Sequence, residues 1–263
     1  MSEIIQLNRF SKLHNGKDIF FCKTDFLQKD FDIISKLNHD VILISGNSDI
    51  AITNKIAKTA PQNISTWFCQ NNECDDPRVV SLPLGIENTF ECKRSGHGVV
   101  WNFALEKNKI LSSIFNKKIT GETFNLVYAN FNVNTSPSWR NKIKDTCLKS
   151  SHITFEDSNL SYPEFISKIL SHEAVVCPCG NGVDTHRVYE TLYANRIPIV
   201  FSHGQGYLYK TLYKFLPVVL LENPEQLLDK QYIINNIKVA KNKSNEKIKF
   251  SYWNKTLLNF KNK

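Results

Sequence analysis

Between positions 177 and 190 the chain reads CPCGNGVDTHRVYE, a dense run of groups able to do chemistry. Cys177, Cys179, Asn181, Asp184, Thr185, His186, Arg187 and Glu190 all fall within it. Apolar segments flank the run, EAVVC overlapping its start at Cys177 and LYANRIPIV following its end, so a buried strand should open into the polar loop and a helix should lead out. Three devices use such residues: a metal site, a ligand loop, or a plain strand–turn–helix. Gly180 and Gly182 suit backbone angles closed to other residues and allow a ligand close to the main chain. Asp184 or Thr185 suits the helix N-cap. The N–H groups and dipole of that helix end favour a phosphate. Arg187 can grip a diphosphate through two donors. With His186 and Glu190 it shares one helical face, from which Glu190 can accept hydrogen bonds from a ribose diol. The C-x-C spacing is too close for the usual structural zinc hook, and no second cysteine pair completes it. Neither GxGxxG nor a loop ending in GKS or GKT is present here. A ligand loop and an ordinary strand–turn–helix both remain open on these residues.

The longer stretch PCGNGVDTHRVYETLYANRIPIV resembles the donor-site motif of exostosin-type and related GT-B glycosyltransferases. The usual text there is Pro-Arg-Gly-x-Gly-x-Asp-Thr/Ser-His-Arg-x-Trp-Glu-Ala-Leu, then a glycine and x-Ile-Pro-Ile/Val. Gly180, Gly182, Asp184, His186, Arg187, Glu190, Leu192, Pro198 and Val200 match by position. Looser likeness appears in PLGIEN at 83–88 and LVYANFNVNTSPSWR at 126–140, where Arg140 is the matching arginine, so the resemblance covers about 83–220. Cys179 departs from the pattern, standing where an arginine is usual. Tyr189 replaces the common tryptophan. Asn195 replaces a glycine, a mild change because Asn tolerates the left-handed conformation of a helix C-terminus.

The resemblance implies an α/β, GT-B-like fold: two Rossmann-like domains facing a cleft, the first one reduced. It implies a hexosyl- or pentosyltransferase that moves a sugar from a nucleotide-diphosphate-sugar donor to a hydroxyl of a glycan acceptor. No metal or cofactor beyond the donor is implied, and no Asp-x-Asp motif stands out. The expected donor contacts are Arg140, Gly180, Asn181, Gly182, Asp184, Thr185, His186, Arg187 and Glu190, with Arg187 and Arg140 neutralising the leaving diphosphate. Acceptor sugars enter from the first domain. An inverting reaction needs a base there. Asp49, just past the DVILIS strand, is the best-placed candidate, its other role being the N-cap of the next helix. Glu87 and His97 lie near the domain boundary. A non-catalytic sugar-nucleotide or glycan binder of the same fold is the alternative.

The elements that must position these groups alternate. Strands are expected at 18–22, 40–45, 65–69 and 78–85, with helical stretches after the first and over 49–59. A second series has strands at 124–130, 152–155, 173–177, 197–201 and 217–221. Its helices run from Ser136-Pro137 to Leu148, from the Ser161/Glu164 capping box to 171, from Asp184, and near 206–213. This divides the chain into a first Rossmann-like domain (1–95), a linker with a helix over 101–117 (96–121), a nucleotide-sugar-binding domain (122–240) and a basic C-terminal helix (241–263). Trp67, Trp139 and Tyr128 are candidates for stacking on sugar rings. Trp101 and Trp253 suit interdomain packing, Tyr193 suits the core, and His203-Gly204 borders the expected cleft.

Charge narrows the partners. The chain of 263 residues carries +8, and seven lysines against Glu246 in 241–263 supply +6 of it. That tail permits weak contact with an anionic membrane. A terminal helix with an apolar face and a solvated lysine face explains it more simply. No aromatic RNA-binding pattern accompanies the lysines, so no nucleic-acid partner is expected. Seven cysteines form no disulfide framework, which suits reduced thiols in the cytoplasm. The start, MSEIIQLNRF, is not an apolar signal segment, and no long uncharged apolar run follows.

Overall fold

The computed structural model describes residues 2–94, 102–117, 123–157 and 159–261, so the expectations for His97 and Trp101 lie outside the described residues. The first part of the chain forms β1 (Ile19–Lys23), α1 (Leu27–Ile34), β2 (Val41–Gly46), β3 (Ile52–Thr53), α2 (Asn54–Ala57), β4 (Ile64–Cys69), β5 (Asn72–Glu73) and β6 (Val79–Ser81). Helix α3 (Asn102–Lys117) connects it to the second part. There follow β7 (Asn125–Ala129), α4 (Pro137–Leu148), β8 (Ile153–Phe155), α5 (Tyr162–Leu170), β9 (His172–Val176), α6 (His186–Tyr193), β10 (Ile197–Phe201), α7 (Ser202–Thr211) and β11 (Val219–Leu221). Helices α8 (Lys230–Lys241) and α9 (Phe250–Lys261) close the chain. Both main sheets are parallel, the first ordered β1-β2-β4-β6 and the second β11-β10-β9-β7-β8. These are two Rossmann-like units facing a cleft, and the four-stranded first one is the smaller.

The second sheet is wound on both faces. Its strand order reverses between β7 and β9, so right-handed crossovers place helices on each side. Ile143 and Cys147 of α4 and Ile233 and Ile237 of α8 pack on one face. Phe165 and Ile169 of α5, Val188 and Leu192 of α6, and Leu111 and Ile114 of α3 pack on the other.

The first sheet never reverses its order, so its crossover helices fall on one face. There Phe20, Leu43 and Trp67 pack against Leu27, Phe31 and Ile34 of α1 and Ala57 of α2. The alternate residues Phe21, Ile42, Ile44 and Phe68 point the other way. Phe10 and, from the far end of the chain, Trp253 and Leu257 of α9 cover them. Trp253 meets Phe68 edge-on at 6.4 Å between ring centroids, and its Nε1 donates to the Lys247 carbonyl at 2.7 Å. Helix α9 thus supplies the missing helical layer of a sheet wound on one side, while Lys255 lies exposed on its solvent side.

Local details follow the sequence with some corrections. The capping box of Ser161 and Glu164 is formed at α5. Asn195 is left-handed at φ 57°, as its place after α6 requires. Ser136 precedes α4 at φ 95° without a side-chain cap bond. The helix expected over 49–59 shrinks to α2, because Ile52 and Thr53 pair instead with Asn72 and Glu73. Thr53, not Asp49, is its N-cap residue. Helix α8 was hidden within the expected nucleotide-binding domain, and the basic terminal helix begins only at Phe250. Among the described residues, no helix is long and apolar enough to cross a membrane.

The dependence of the first sheet on α9 is measurable. Trp253 is 3 % exposed, so Trp253→Ala should lower stability by about 3–5 kcal/mol, read from urea unfolding monitored by circular dichroism.

Candidate functional site

The carboxyl ends of the two sheets border a cleft of about 660 Å³. Lys23 ends β1 and Asp25 follows it, Asn47 to Ile50 follow β2, Asn71 follows β4, and Leu84 and Ile86 to Asn88 follow β6. Thr135 lies past β7. Gly180, Asn181, Gly182, Asp184, Thr185 and His186 come from the loop between β9 and α6. Open α/β sheets bind ligands at this end of their strands.

Side-chain amides brace the first-domain wall. Asn47 and Asn71 are left-handed, at φ 54° and 52°, a conformation that Asn accepts more readily than most residues. Asn47 Nδ2 donates to Asn8 Oδ1 at 2.7 Å, and Asn88 Nδ2 donates to Asn47 Oδ1 at 2.9 Å. Asn71 reaches across: its Oδ1 accepts the Asp184 N–H at 2.9 Å while its Nδ2 donates to the Ser48 carbonyl at 2.8 Å.

The glycine loop is built differently from the expectation. Neither Gly180 nor Gly182 has a positive φ. Their small size matters instead, since a Cβ at Gly182 would lie 3.1 Å from Asn71 Oδ1 and one at Gly180 would lie 3.3 Å from Arg140 Nη2. The Gly180 N–H donates to the Gly182 carbonyl at 3.2 Å. No hydrogen bond among the described residues engages the N–H of Asn181 or Gly182, and both residues line the cleft. They are two adjacent main-chain donors that no group among the described residues engages.

Asp184 lines the cleft, but its carboxylate oxygens are engaged within the protein. It is buried, and Oδ2 accepts from the Leu84 N–H at 3.0 Å and from Tyr189 Oη at 2.7 Å. Oδ1 accepts from the Thr185 N–H at 2.7 Å and from the Tyr213 hydroxyl. Burial pushes its carboxyl up despite those donors. Thr185 caps α6, accepting from the Arg187 N–H at 3.4 Å. The helix end thus already holds a carboxylate of its own.

Arg140, Arg187 and Glu190 are absent from the described residues that line the cleft. Arg140 ties two loops together: Nε donates to the Cys179 carbonyl at 2.9 Å, Nη2 to Pro178 at 3.1 Å and Nη1 to Asn132 at 2.7 Å. Arg187 donates to the Asn130 carbonyl, pairs with Glu190 at 3.1 Å, and lies 3.9 Å over the Phe165 ring. Glu190 also meets Lys107 of α3 at 2.7 Å, and Lys107 meets Glu87 at 2.6 Å. A charge chain therefore links α6, α3 and the loop after β6. Burial alone would raise the Glu87 carboxyl, but His186 and Lys107 hold it at about 2. Lys107 carried no signal in the sequence, since one lysine on an amphipathic helix looks like any other.

Other predicted groups do face the cleft. His186 lines it, and its Nδ1 donates to the Gly85 carbonyl at 2.8 Å. Asp49 lines it as an exposed carboxylate with no hydrogen bond or ion pair among the described residues. Nearby Asp25 pairs with Lys23 at 3.3 Å. Against burial, which raises it, Ser48 and Lys23 hold the Asp25 carboxyl below its ordinary value.

The aromatic candidates lie elsewhere. Trp67 is core and donates through Nε1 to Ser45 Oγ at 2.9 Å. Tyr128 is core and donates to Glu156 at 3.0 Å. Trp139 stacks on His203 with ring centroids 4.2 Å apart. Tyr193 is core as expected, donating to the Ile248 carbonyl and accepting from the Ile5 N–H, each at 2.8 Å. All seven cysteines are free, and burial pushes the Cys177 thiol up to about 12. Cys179 Sγ sits so close to Gly204 that a Cβ there would lie 2.7 Å from it, so the glycine leaves the thiol its space. Among the described residues, no group of three His, Cys, Asp or Glu is arranged to hold a metal ion.

No protein-family model matches the chain, and no curated protein matches it in sequence.

Glu190 is 3 % exposed between two cations. Glu190→Ala should therefore cost roughly 3 kcal/mol of stability by leaving Arg187 without its carboxylate and Lys107 with Glu87 alone, measured as a fall in Tm and in urea midpoint.

Proposed function

We propose that the chain is a glycosyltransferase of the exostosin-like, GT-B kind, moving a sugar from a nucleotide-diphosphate-sugar donor to a hydroxyl of a glycan acceptor without a metal. One observation carries this reading. An unpaired carboxylate, Asp49, and two unengaged amides, those of Asn181 and Gly182, belong to the same cleft but to opposite domains. The likeness of 177–200 to the donor motif supports it, as does the generic two-domain architecture.

In this reading the donor diphosphate accepts hydrogen bonds from the Asn181 and Gly182 amides, with His186 and Thr185 beside them. Such fixed donors favour the charge that develops as the leaving group departs. Asp49 accepts the proton of the acceptor hydroxyl while that oxygen attacks the anomeric carbon and the bond to the diphosphate breaks. The electron pair leaves with the nucleoside diphosphate. Arg187, Arg140 and Glu190 contribute by holding the loops and helix that present these groups, and Asp184 by fixing the start of α6. A reducing, cytoplasmic compartment suits seven free cysteines.

A second reading, a non-catalytic sugar-nucleotide or glycan binder, is favoured by the inward-turned guanidinium groups. Lys23 and His186 are the basic side chains among the described residues lining the cleft, few for a departing diphosphate.

A thermal-shift screen against UDP-, GDP-, ADP- and CMP-sugars separates the readings. One donor class should raise Tm, and the protein should then transfer that sugar. Asp49→Asn should keep the shift and lose roughly 10²–10⁴-fold in kcat. A donor-dependent shift with no transfer or hydrolysis by the unmodified protein would establish the binder. No shift with any nucleotide sugar would refute the transferase and the sugar-nucleotide binder alike.

A further inference from the structure

None of Trp67, Tyr128 and Trp139 is among the described residues that line the cleft, yet another ring stands at its mouth. Phe26 follows directly on Asp25, a lining residue, and is 47 % exposed. Lys23 Nζ, from another lining residue, lies 5.8 Å from the centroid of its ring. A single exposed apolar side chain means little by itself. This one adjoins a fixed polar group. Lys23 pairs with Asp25 at 3.3 Å, the Ser48 hydroxyl donates to the Asp25 carboxylate, and Ser48 Oγ accepts the Ile50 N–H at 3.2 Å. Ile50 lines the cleft as well and is 44 % exposed.

The mixture suits one class of ligand. A pyranose has a face of C–H groups and a rim of hydroxyls, so it needs an apolar platform with hydrogen-bonding groups beside it. The Phe26 ring offers the platform, and Ile50 adds apolar surface from the loop after β2. The Asp25 side chain is 36 % exposed and keeps lone pairs for a sugar hydroxyl after Lys23 and Ser48 are served. The Lys23 ammonium has donors to spare beyond the one on Asp25. Charge argues for a neutral ligand on this wall. Among the described lining residues of the first domain, Asp25, Asp49 and Glu87 stand against Lys23, a balance that turns a phosphate away and leaves a sugar unpenalised.

We propose that Phe26 and the Lys23–Asp25–Ser48 group form a subsite for one sugar residue of the glycan acceptor. The inference rests on the glycosyltransferase reading of the cleft. Asp49, the base in that reading, follows Ser48 in the chain, so the subsite lies beside the reacting hydroxyl.

Methyl β-D-glucopyranoside and methyl β-D-galactopyranoside are titrated against the protein by saturation-transfer NMR, with glycerol as a polyol that has no ring face. At least one glycoside should bind saturably at millimolar concentration, with transfer strongest at the protons of one ring face, and glycerol should not. Phe26→Ala should weaken that binding roughly 3–10-fold, and Phe26→Trp should restore it. Asp25→Asn should weaken it as well. Far-UV circular dichroism should be unchanged in all three variants. The donor screen is read in parallel. A donor shift that survives Phe26→Ala while the glycoside response falls supports the subsite and leaves the cleft reading standing. A Phe26-dependent glycoside response with no donor shift removes the transferase reading and keeps the subsite as a glycan-binding site. No saturable binding of either glycoside, or binding unchanged in both Phe26→Ala and Asp25→Asn, overturns the proposal.

Discussion

The Asp184 carboxylate is buried at the junction of the two sheets and accepts four hydrogen bonds: from the Leu84 N–H, the Thr185 N–H and the hydroxyls of Tyr189 and Tyr213. Burying a carboxylate is costly unless such donors surround it. Leu84 belongs to the first domain and the other three donors to the second, so satisfying this group fixes the two sheets relative to one another. The Asp184 N–H continues the tie by donating to Asn71. The charge chain from Arg187 through Glu190 and Lys107 to Glu87 makes a second tie on the neighbouring face of α6. The glycine loop meets the first-domain wall where it does because these buried polar groups permit few other arrangements.

A further constraint comes from winding. The first sheet has crossover helices on one face, so its other face needs cover from outside its own strand connections. The two ends of the chain provide it. Ile4 bridges to Lys249, the Phe250 N–H donates to the Glu3 carbonyl at 2.7 Å, and α9 then crosses Phe68. The second domain thereby returns to the first through α9, and the cleft is bounded by units joined at α3 and again at the C-terminus.

Much of the second domain was legible because its signals are local. A capping box, a Pro at the start of a helix and short apolar runs between polar turns each specify an element within a few residues, and β10 falls at 197–201 as its apolar run indicates. Asn195 shows the same logic at one position. The misreadings concern long-range partners. Asp49 reads first as a helix cap because nothing local reveals that Ile52 and Thr53 pair with residues twenty positions on. Arg187 and Glu190 have the types and spacing of ligand groups, and only the position of Lys107 on a distant helix shows them engaged within the protein. Gly180 and Gly182 were expected for their backbone freedom and are needed for the approach of Arg140 and Asn71. The apolar face of the terminal helix was legible, and Trp253 packs as its type and place indicate; that its partner is the open face of the first sheet was not.

The account rests on a donor diphosphate held by main-chain donors at 181 and 182, within a cleft whose arginines are committed to structure. Amide hydrogen exchange read by NMR with and without a saturating nucleoside diphosphate tests this most directly. The Asn181 and Gly182 amides should become protected on binding, more than the neighbouring Gly180 amide, which already donates to Gly182. Binding that leaves the exchange of both amides unchanged would contradict it.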